Sequence, residues 1–298
     1  MPELIITKPK RRVLRLPRNT RGRDLIITDP HGAYDLVWDA MKAANFDPAR
    51  DRLLVGDDLI DRGAGSARAG KFLSPPYVYS VAGNHDRALV DASHQGALDR
   101  DIIDALARMN YNGMRWMKDV SIEELGQLAA AFDELPFVIE IETSRGLVGI
   151  VHADVPPGMD WQTFTAKIEA GDEYATRMAL GMDLSDTFHE SRQRVQTRRT
   201  DGVPGVGRVF VGHTVLFEDI QKLGNLYAID SGSVWADAGK DKGHLTMANP
   251  LMQTQYLAQP PGVRPDPRLD LRIHGEIPEH EFSGPDSAAS GESEAPRM

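Results

Sequence analysis

Three short motifs rich in aspartate, histidine and arginine follow one another between positions 28 and 86. They are TDPHG at residues 28–32, DLIDRG at residues 58–63 and GNHD at residues 83–86. Carboxylate and imidazole groups are common ligands of divalent cations, and the guanidinium of arginine matches the geometry of phosphate oxygens. The three motifs together predict metal-dependent hydrolysis of a phosphate ester.

The first motif directly follows an apolar run at residues 25–28. If the chain stays extended there, Asp29 and His31 point to the same side, and we expect the pair to bind one cation. Taken alone, the motif would also fit a turn in which Asp29 caps the loop at Pro30. The two later motifs favour the metal-binding alternative.

Hydrophobic patterning predicts the elements that position these motifs. Short apolar runs predict strands over residues 25–28, 53–56, 77–82, 137–142, 147–152, 208–212 and 226–229. Helices are predicted over residues 35–44, 100–109, 121–134 and 188–198. Ser121 and Glu124 form a capping-box pattern, and residues 144–146 predict a hairpin. This order indicates an α/β fold with a mixed sheet, in which sites lie at strand ends.

Composition narrows the class of protein. The chain has 298 residues, 41% of them apolar, no cysteine and a net charge of −10. Disulfides, thiolate nucleophiles and cysteine-bound zinc are therefore excluded. The acidic balance argues against nucleic acid as a partner, because a duplex requires clustered positive charge. We find no apolar run long enough for a membrane partner, and the expected location is the cytoplasm.

The sequence divides into three parts. Residues 1–23 are rich in lysine and arginine and are predicted to be a basic N-terminal extension or an edge strand. Residues 24–250 carry the motifs and form the expected catalytic domain. Residues 251–298 are rich in proline, serine and glutamate, and we expect a disordered tail at least from residue 259.

In these motifs the chain resembles the metal-dependent phosphoprotein phosphatases, in particular the small bacterial and phage serine/threonine phosphatases within the calcineurin-like metallophosphoesterases. The family pattern is GDxHG, GDxxDRG and GNHE. Residues 151–156 (VHADVP), 191–192 (SR) and 212–214 (GHT) match further family elements, and the resemblance spans residues 24–235. It implies a single α/β domain with the calcineurin-like fold, in which central mixed sheets pack as a sandwich flanked by helices.

The resemblance also implies two divalent cations, with manganese as the first expectation and iron or zinc as alternatives. Asp58 would bridge the two cations. The other implied ligands are Asp29 and His31 for the first cation, and Asn84, His152 and His213 for the second.

Catalytic roles follow from the same resemblance. His85 would protonate the leaving alkoxide, and Asp61 would hold its imidazole in the useful tautomer. Arg62 and Arg192 would bind the phosphoryl oxygens. The implied reaction is direct attack by a hydroxide that bridges the cations, without a covalent phosphoenzyme.

The chain departs from the family pattern at three positions. Thr28 and Asp57 replace glycines, and Asp86 replaces the final glutamate of the third motif. Asp57 creates an ambiguity of register, because Gly56 and Asp57 also form a Gly-Asp pair that would make Asp57 the bridge. We favour Asp58, since only Asp58 keeps the two-residue gap before Asp-Arg-Gly. Asp57 would then either support the metal site or face solvent.

The favoured function is removal of phosphate from phosphoserine and phosphothreonine in proteins or peptides, with phosphotyrosine as a further substrate. A symmetrical diadenosine tetraphosphatase is the main alternative, because the same motif set serves that reaction. A non-catalytic phosphate-binding member and a nucleic-acid phosphodiesterase are weaker alternatives. The physiological substrate, the oligomeric state and the role of the tail stay open.

Other candidate residues carry weaker signals. The Asn-Gly pair at residues 112–113, with Trp116, would either line the pocket or form a plain turn. Five histidines have no motif around them and are expected to be surface or structural residues: His94, His189, His244, His274 and His280.

Overall fold

Two β-sheets form the centre of the fold. The computed structural model describes residues 11–182, 190–217, 220–252 and 266–273. The strands in this part of the chain are β1 (Val13–Leu16), β2 (Asp24–Ile27), β3 (Arg52–Val55), β4 (Val78–Ser80), β5 (Val138–Thr143), β6 (Gly146–Val151), β7 (Arg208–Val211), β8 (Gln221–Leu223), β9 (Leu226–Ala228), β10 (Leu245–Ala248) and β11 (Leu269–Arg272).

Both sheets are mixed. One sheet has the order β1-β5-β6-β7-β9-β8, in which β5 and β6 form an antiparallel hairpin and β6, β7 and β9 run parallel. The other has the order β11-β10-β2-β3-β4, in which β2, β3 and β4 run parallel and β10 is antiparallel to β2. The predicted mixed α/β architecture is confirmed.

The helices cover the outer faces of the two sheets. They are α1 (Tyr34–Ala43), α2 (Ala69–Leu73), α3 (Asn84–His94), α4 (Arg100–Met109), α5 (Ile122–Asp133), α6 (Trp161–Ala170), α7 (Glu173–Leu180), α8 (Glu190–Gln196) and α9 (Ser233–Asp237). Within the described residues, each helix is too short or too polar to span a lipid bilayer.

Three apolar clusters fill the spaces between these layers. The inner cluster joins Ile26 and Leu54 of one sheet to Ile150 and Phe210 of the other, so the sheets pack face to face as the predicted sandwich. A second cluster lies between the sheet of β2 and helices α1 and α5, and a third lies between the sheet of β6 and helices α6 and α7. One continuous layered domain results.

Local signals account for several boundaries. The capping box at α5 is present, since the Ser121 hydroxyl accepts from the Glu124 backbone N–H and the Glu124 carboxylate accepts from the Ser121 backbone N–H. The predicted hairpin connects β5 to β6. Helices α2, α3, α6, α7 and α9 were not predicted. The predicted helix over 188–198 is observed as α8, and residues 188–189 lie outside the described part.

The segment after residue 250 differs from the prediction. Leu269–Arg272 forms β11, which pairs in parallel with β10, so the expectation of disorder is wrong for these residues. Leu269, Asp270 and Arg272 are buried there, and Arg272 Nε donates to Asp270 Oδ2 at 2.7 Å. The strand was not predicted because two of its four residues are charged, so the sequence lacks the apolar run that is typical of a buried strand. Residues 253–265 and 274–298 of the predicted tail lie outside the described residues.

Candidate active site

The loops that carry the motifs meet at one edge of the sandwich. The loop after β2 is tied to the loop after β3, because the backbone N–H groups of Asp29 and His31 donate to the carbonyl oxygens of Asp57 and Asp58, both at 2.8 Å. Asp29 and His31 have φ values of 49° and 43°. The prediction of an extended chain at this point is therefore wrong, and a left-handed turn delivers the two side chains instead.

Asp58 lies at the centre of the site. Its carboxylate is grouped with the ring nitrogens of His31 and His85 on one side, within 4.8 Å of one another, and with those of His152 and His213 on the other, within the same limit. All five side chains are buried. The arrangement is that of one carboxylate between two clusters of imidazoles, as a bridging ligand requires.

The remaining predicted ligands lie beside these clusters. Asn84 Oδ1 lies 3.1 Å from His152 Nε2, on the side of the second cluster. Asp29 Oδ1 accepts from the His213 backbone N–H at 2.9 Å, which ties the first motif to the loop after β7. All six predicted metal ligands are thus brought into one region, in which five are buried and Asn84 is half-buried, although Asp29 and Asn84 are not part of either three-residue group.

Backbone carbonyls fix the tautomers of two histidines. His31 Nδ1–H donates to the Ile60 carbonyl at 2.7 Å, and His152 Nδ1–H donates to the Gly56 carbonyl at 3.0 Å. The Nε2 lone pair of each ring is therefore directed into the site. Metal-binding histidines commonly use this arrangement.

The electrostatics of the site also suit cations. Burial lowers the pKa of His31, His152 and His213, so these rings are neutral and able to coordinate. Burial raises the pKa of Asp29 well above its usual value, and the nearby Asp230 and Asp58 add to the shift. Asp29 Oδ2 is buried and has no hydrogen-bond partner among the described residues. Neutral imidazoles around an unpaired carboxylate oxygen are the donor set that a divalent cation requires.

His85 differs from the other three histidines. Its Nδ1 lies 2.7 Å from Asp61 Oδ2. Burial lowers the pKa of His85, but the negative charge of Asp58 and the hydrogen bond to Asp61 outweigh burial, so the net pKa is raised. A protonated imidazole cannot bind a cation, whereas it can donate a proton from Nε2. His85 thus differs in charge and hydrogen bonding from the three predicted metal-binding histidines, as the predicted general-acid role requires.

Trp116 supports this pair from the other side. Its indole Nε1–H donates to Asp61 Oδ1 at 2.8 Å, so both oxygens of the buried Asp61 carboxylate are engaged. The segment at residues 112–113 lies directly before it, and Gly113 accepts a hydrogen bond from the Arg62 backbone N–H at 2.9 Å. A cavity of about 360 Å³ is lined by Arg62, Gly113 and Trp116 among others. Gly113 lines this cavity, but Asn112 and the predicted metal ligands do not, so a role of the Asn-Gly segment in the substrate pocket stays a prediction.

The two predicted phosphate-binding arginines extend into the site from different elements. Arg62 Nη1 donates to His31 Nε2 at 2.6 Å, and Arg62 Nη2 lies 3.1 Å from His85 Nε2. Arg192 on α8 donates from Nε to His213 Nε2 at 3.1 Å. Both guanidinium groups thus lie against the histidines, where they can bind the oxygens of a phosphate.

The HAD-x-P element anchors the helix that carries Arg192. The Arg194 Nε–H donates to both carboxylate oxygens of Asp154, at 2.8 and 3.0 Å, and Arg194 Nη2 donates to the Val155 carbonyl at 3.2 Å. Asp154 and Arg194 are both buried. This buried pair fixes α8 to the strand end that carries His152, and so fixes the position of Arg192 relative to the histidines.

The altered motif positions are buried as well. Asp57 is completely buried, so the alternative in which it faces solvent is wrong. The carboxyl groups of Asp57 and Asp86 interact, and burial raises the pKa of both, that of Asp86 to about 6. Asp86 also accepts from the backbone N–H groups of Leu59 and Ile60, at 3.0 and 3.2 Å. It thereby holds the loop that presents Asp58.

Asp230 is a site residue that sequence reasoning missed. It follows β9, is buried, and has a pKa that burial raises to about 7, with Asp58 adding to the shift. Ser233 Oγ, three residues later, donates to the Asp29 carbonyl at 2.7 Å. The sequence does contain a signal for Asp230: it directly follows the strand predicted over residues 226–229, just as Asp29 directly follows the strand predicted over residues 25–28.

Two of the histidines without motifs lie in the described part of the chain, and neither belongs to a group with the predicted metal ligands. His94 lies 3.5 Å from Asp133, and His244 is buried with Nε2 3.6 Å from Asp270. His189, His274 and His280 lie outside the described residues.

Comparison with known proteins agrees with this chemistry. The family model for calcineurin-like phosphoesterases matches residues 23–217. Serine/threonine-protein phosphatase 1 of Salmonella typhimurium is 28% identical over 229 residues, which cover 75% of this chain and 89% of that protein. Serine/threonine-protein phosphatase 2 of the same organism is 32% identical over 211 residues, which cover 70% of this chain and 86% of that protein.

Proteins named for another substrate are similar too. The symmetrical bis(5'-nucleosyl)-tetraphosphatase of Methylococcus capsulatus is 28% identical over 162 residues, which cover 52% of this chain and 50% of that protein. A crystal structure of a candidate diadenosine tetraphosphatase shares the fold, with a TM-score of 0.52 at 19% identity over 80% of this chain and 93% of its own. Because the family model matches more than half of the chain, and the predicted metal ligands meet in one region, this protein belongs to the calcineurin-like phosphoesterase family.

Proposed function

We propose that this protein is a phosphoprotein phosphatase that hydrolyses phosphoserine and phosphothreonine, and also phosphotyrosine, with manganese as its cation. The observation that carries the proposal is the position of His85: its Nδ1 lies 2.7 Å from Asp61 while its Nε2 faces the Asp58 centre. An alkoxide leaving group requires such an acid, because serine and threonine are poor leaving groups.

Two cations would be held by the residues that surround Asp58. The ligands are Asp29, His31, Asp58, Asn84, His152 and His213. When bound, the cations polarise the phosphate and lower the pKa of the attacking water.

The side chains of the protein perform the remaining steps. Arg62 and Arg192 bind the phosphoryl oxygens, and their fixed positive charge favours the more negative transition state. His85 donates its proton from Nε2 to the leaving oxygen, and Asp61 stabilises the imidazolium before the transfer. Trp116 keeps the Asp61 carboxylate oriented.

Coverage of the relatives supports the choice of substrate. The two Salmonella phosphatases match over 86–89% of their length, whereas the Methylococcus tetraphosphatase matches over 50%. Substrate specificity in such folds depends on the loops around the site, and a match that includes those loops carries more weight. Hydrolysis of diadenosine tetraphosphate is the second candidate, because the family resemblance extends to those enzymes.

A competition assay would test the proposal. Purified protein with Mn²⁺ is given a phosphothreonine peptide and diadenosine tetraphosphate, and kcat/KM is compared for each before chelation, after chelation and after Mn²⁺ is restored. We expect a peptide preference of at least about 10-fold, which corresponds to about 1.4 kcal/mol of transition-state stabilisation. A preference for the dinucleotide would overturn the choice of substrate. The Asp58→Asn variant is the control for contaminating phosphatases.

A further inference from the structure

Asp230 has no role in the mechanism described so far, although it lies within the site. It follows β9, the strand next to β7, whose loop carries His213. Its carbonyl accepts from the Leu216 backbone N–H at 2.7 Å, so the two loops are joined. Its side chain is 2% exposed. Burying a carboxylate at this position is costly unless a partner offsets its charge.

Only one of the two carboxylate oxygens of Asp230 is hydrogen-bonded within the described part of the chain. Asp230 Oδ1 accepts from the Gly232 backbone N–H at 3.0 Å, whereas Oδ2 is buried and has no hydrogen-bond partner among the described residues. Asp29 Oδ2 is in the same situation, and the two carboxyl groups interact electrostatically. Two neighbouring buried carboxylates repel one another when both are ionised, and a cation between them would offset that repulsion and pair with the free oxygen of each.

The arginines of the site do not supply that cation. Arg62 lies against His31 and His85, and Arg192 donates to His213. Among the described residues, neither guanidinium forms a hydrogen bond to Asp230, although both are near enough for their charge to act on it. The missing positive charge is therefore the one that the metal site itself would provide.

We propose that Asp230 is a further residue of the metal site, where it faces the first cation together with Asp29. Binding of the cation offsets the repulsion between the two carboxylates. The inference rests on the metal-dependent mechanism of the proposed function, but it does not depend on whether the substrate is a phosphoprotein or a dinucleotide.

The test is a calorimetric titration of the metal-free protein with Mn²⁺ alone. Asp230→Asn keeps the shape of the side chain and an oxygen that accepts from the Gly232 N–H, but it removes the charge. We expect Mn²⁺ affinity to fall by about 10-fold or more. We also expect the Tm of the metal-free variant to rise, because the repulsion from Asp29 is gone. This pair of opposite effects separates a metal-site residue from a purely structural one.

Asp91→Asn is the matched control. Asp91 is also buried with one unpaired carboxylate oxygen, but it lies on α3 beside Arg87, away from the metal ligands. Its replacement should leave Mn²⁺ affinity unchanged. If Asp230→Asn does not fold, Asp230→Ser removes the same charge with a smaller side chain.

Three results would overturn the inference. The first is wild-type Mn²⁺ affinity in Asp230→Asn or Asp230→Ser. The second is a raised KM for substrate with unchanged Mn²⁺ affinity, which would mean that Asp230 acts on Arg62 and Arg192 instead. The third is a wild-type protein that binds no Mn²⁺, which would also remove the metal chemistry of the proposed function. Inactivity on the peptide with normal Mn²⁺ binding would affect only the choice of substrate.

Discussion

The indole of Trp116 and the carboxylate of Asp61 form a 2.8 Å hydrogen bond beside His85. The other oxygen of Asp61 lies 2.7 Å from His85 Nδ1. The three side chains are buried and come from three separate segments of the chain. The orientation of the His85 imidazole therefore depends, through Asp61, on a tryptophan to which His85 is not hydrogen-bonded.

Replacing Trp116 by phenylalanine should impair protonation of the leaving group. A hydrogen bond to a charged group contributes about 1.5–3 kcal/mol, so kcat for a phosphoserine peptide should fall about 10-fold or more. An aryl phosphate, whose leaving group needs no proton, should lose much less. His85→Asn should show the same contrast with a larger loss, about 10²–10⁴-fold for the peptide. Equal losses on both substrates would contradict the general-acid role.

Gly113 should control the position of Arg62. Gly113 has a φ of +87°, and a Cβ atom there would lie 2.4 Å from the Arg62 backbone nitrogen. Gly113→Ala should therefore displace Arg62 and raise KM for the peptide about 10-fold, the loss expected for one charge-assisted contact. Gly96→Ala is the control, because Gly96 also has a positive φ of +66° but has no atom within 4 Å of the added Cβ. An equal rise of KM in both variants would contradict this prediction, because it would show that backbone strain, and not displacement of Arg62, weakens substrate binding.

The two adjacent aspartates can be separated by metal analysis. Asp58 lies between both histidine clusters, whereas Asp57 interacts with Asp86. Asp58→Asn should weaken binding of both cations by more than about 10-fold each, and Asp57→Asn should leave the bound Mn²⁺ content close to two per chain. Bound metal is measured by elemental analysis after dialysis. Loss of both cations from Asp57→Asn instead would reverse the register of the second motif.

Metal binding should release protons. Burial raises the pKa of Asp29, and Asp230 and Asp58 add to the shift, so a proton competes with a cation for its carboxylate. The apparent affinity for Mn²⁺ should therefore increase with pH. His31 and His213 contribute little to this effect, because burial lowers their pKa and they are already neutral. Titration calorimetry in two buffers with different ionisation enthalpies counts the protons released. An affinity independent of pH would contradict the prediction.

Most of the fold and the predicted site positions were accessible from the sequence, because the motifs directly follow buried strands. The left-handed turn at Asp29 was not accessible, since it depends on a hydrogen bond to Asp57, which is distant in sequence. Helix α3 was missed because three charged residues, Asp86, Arg87 and Asp91, occupy its buried positions and remove the apolar periodicity. Asp230 was overlooked because no histidine or arginine follows it.

The backbone of the site has a consequence for the order of events in folding. Asp29, His31, Asp58, Asp61 and Arg62 all have positive φ. For side chains other than glycine, left-handed backbone costs about 1–2 kcal/mol per residue. The isolated loops therefore cannot assemble the ligands before both sheets exist to hold them. Catalytic activity should be the last property to appear during refolding, and the first to disappear as denaturant is added.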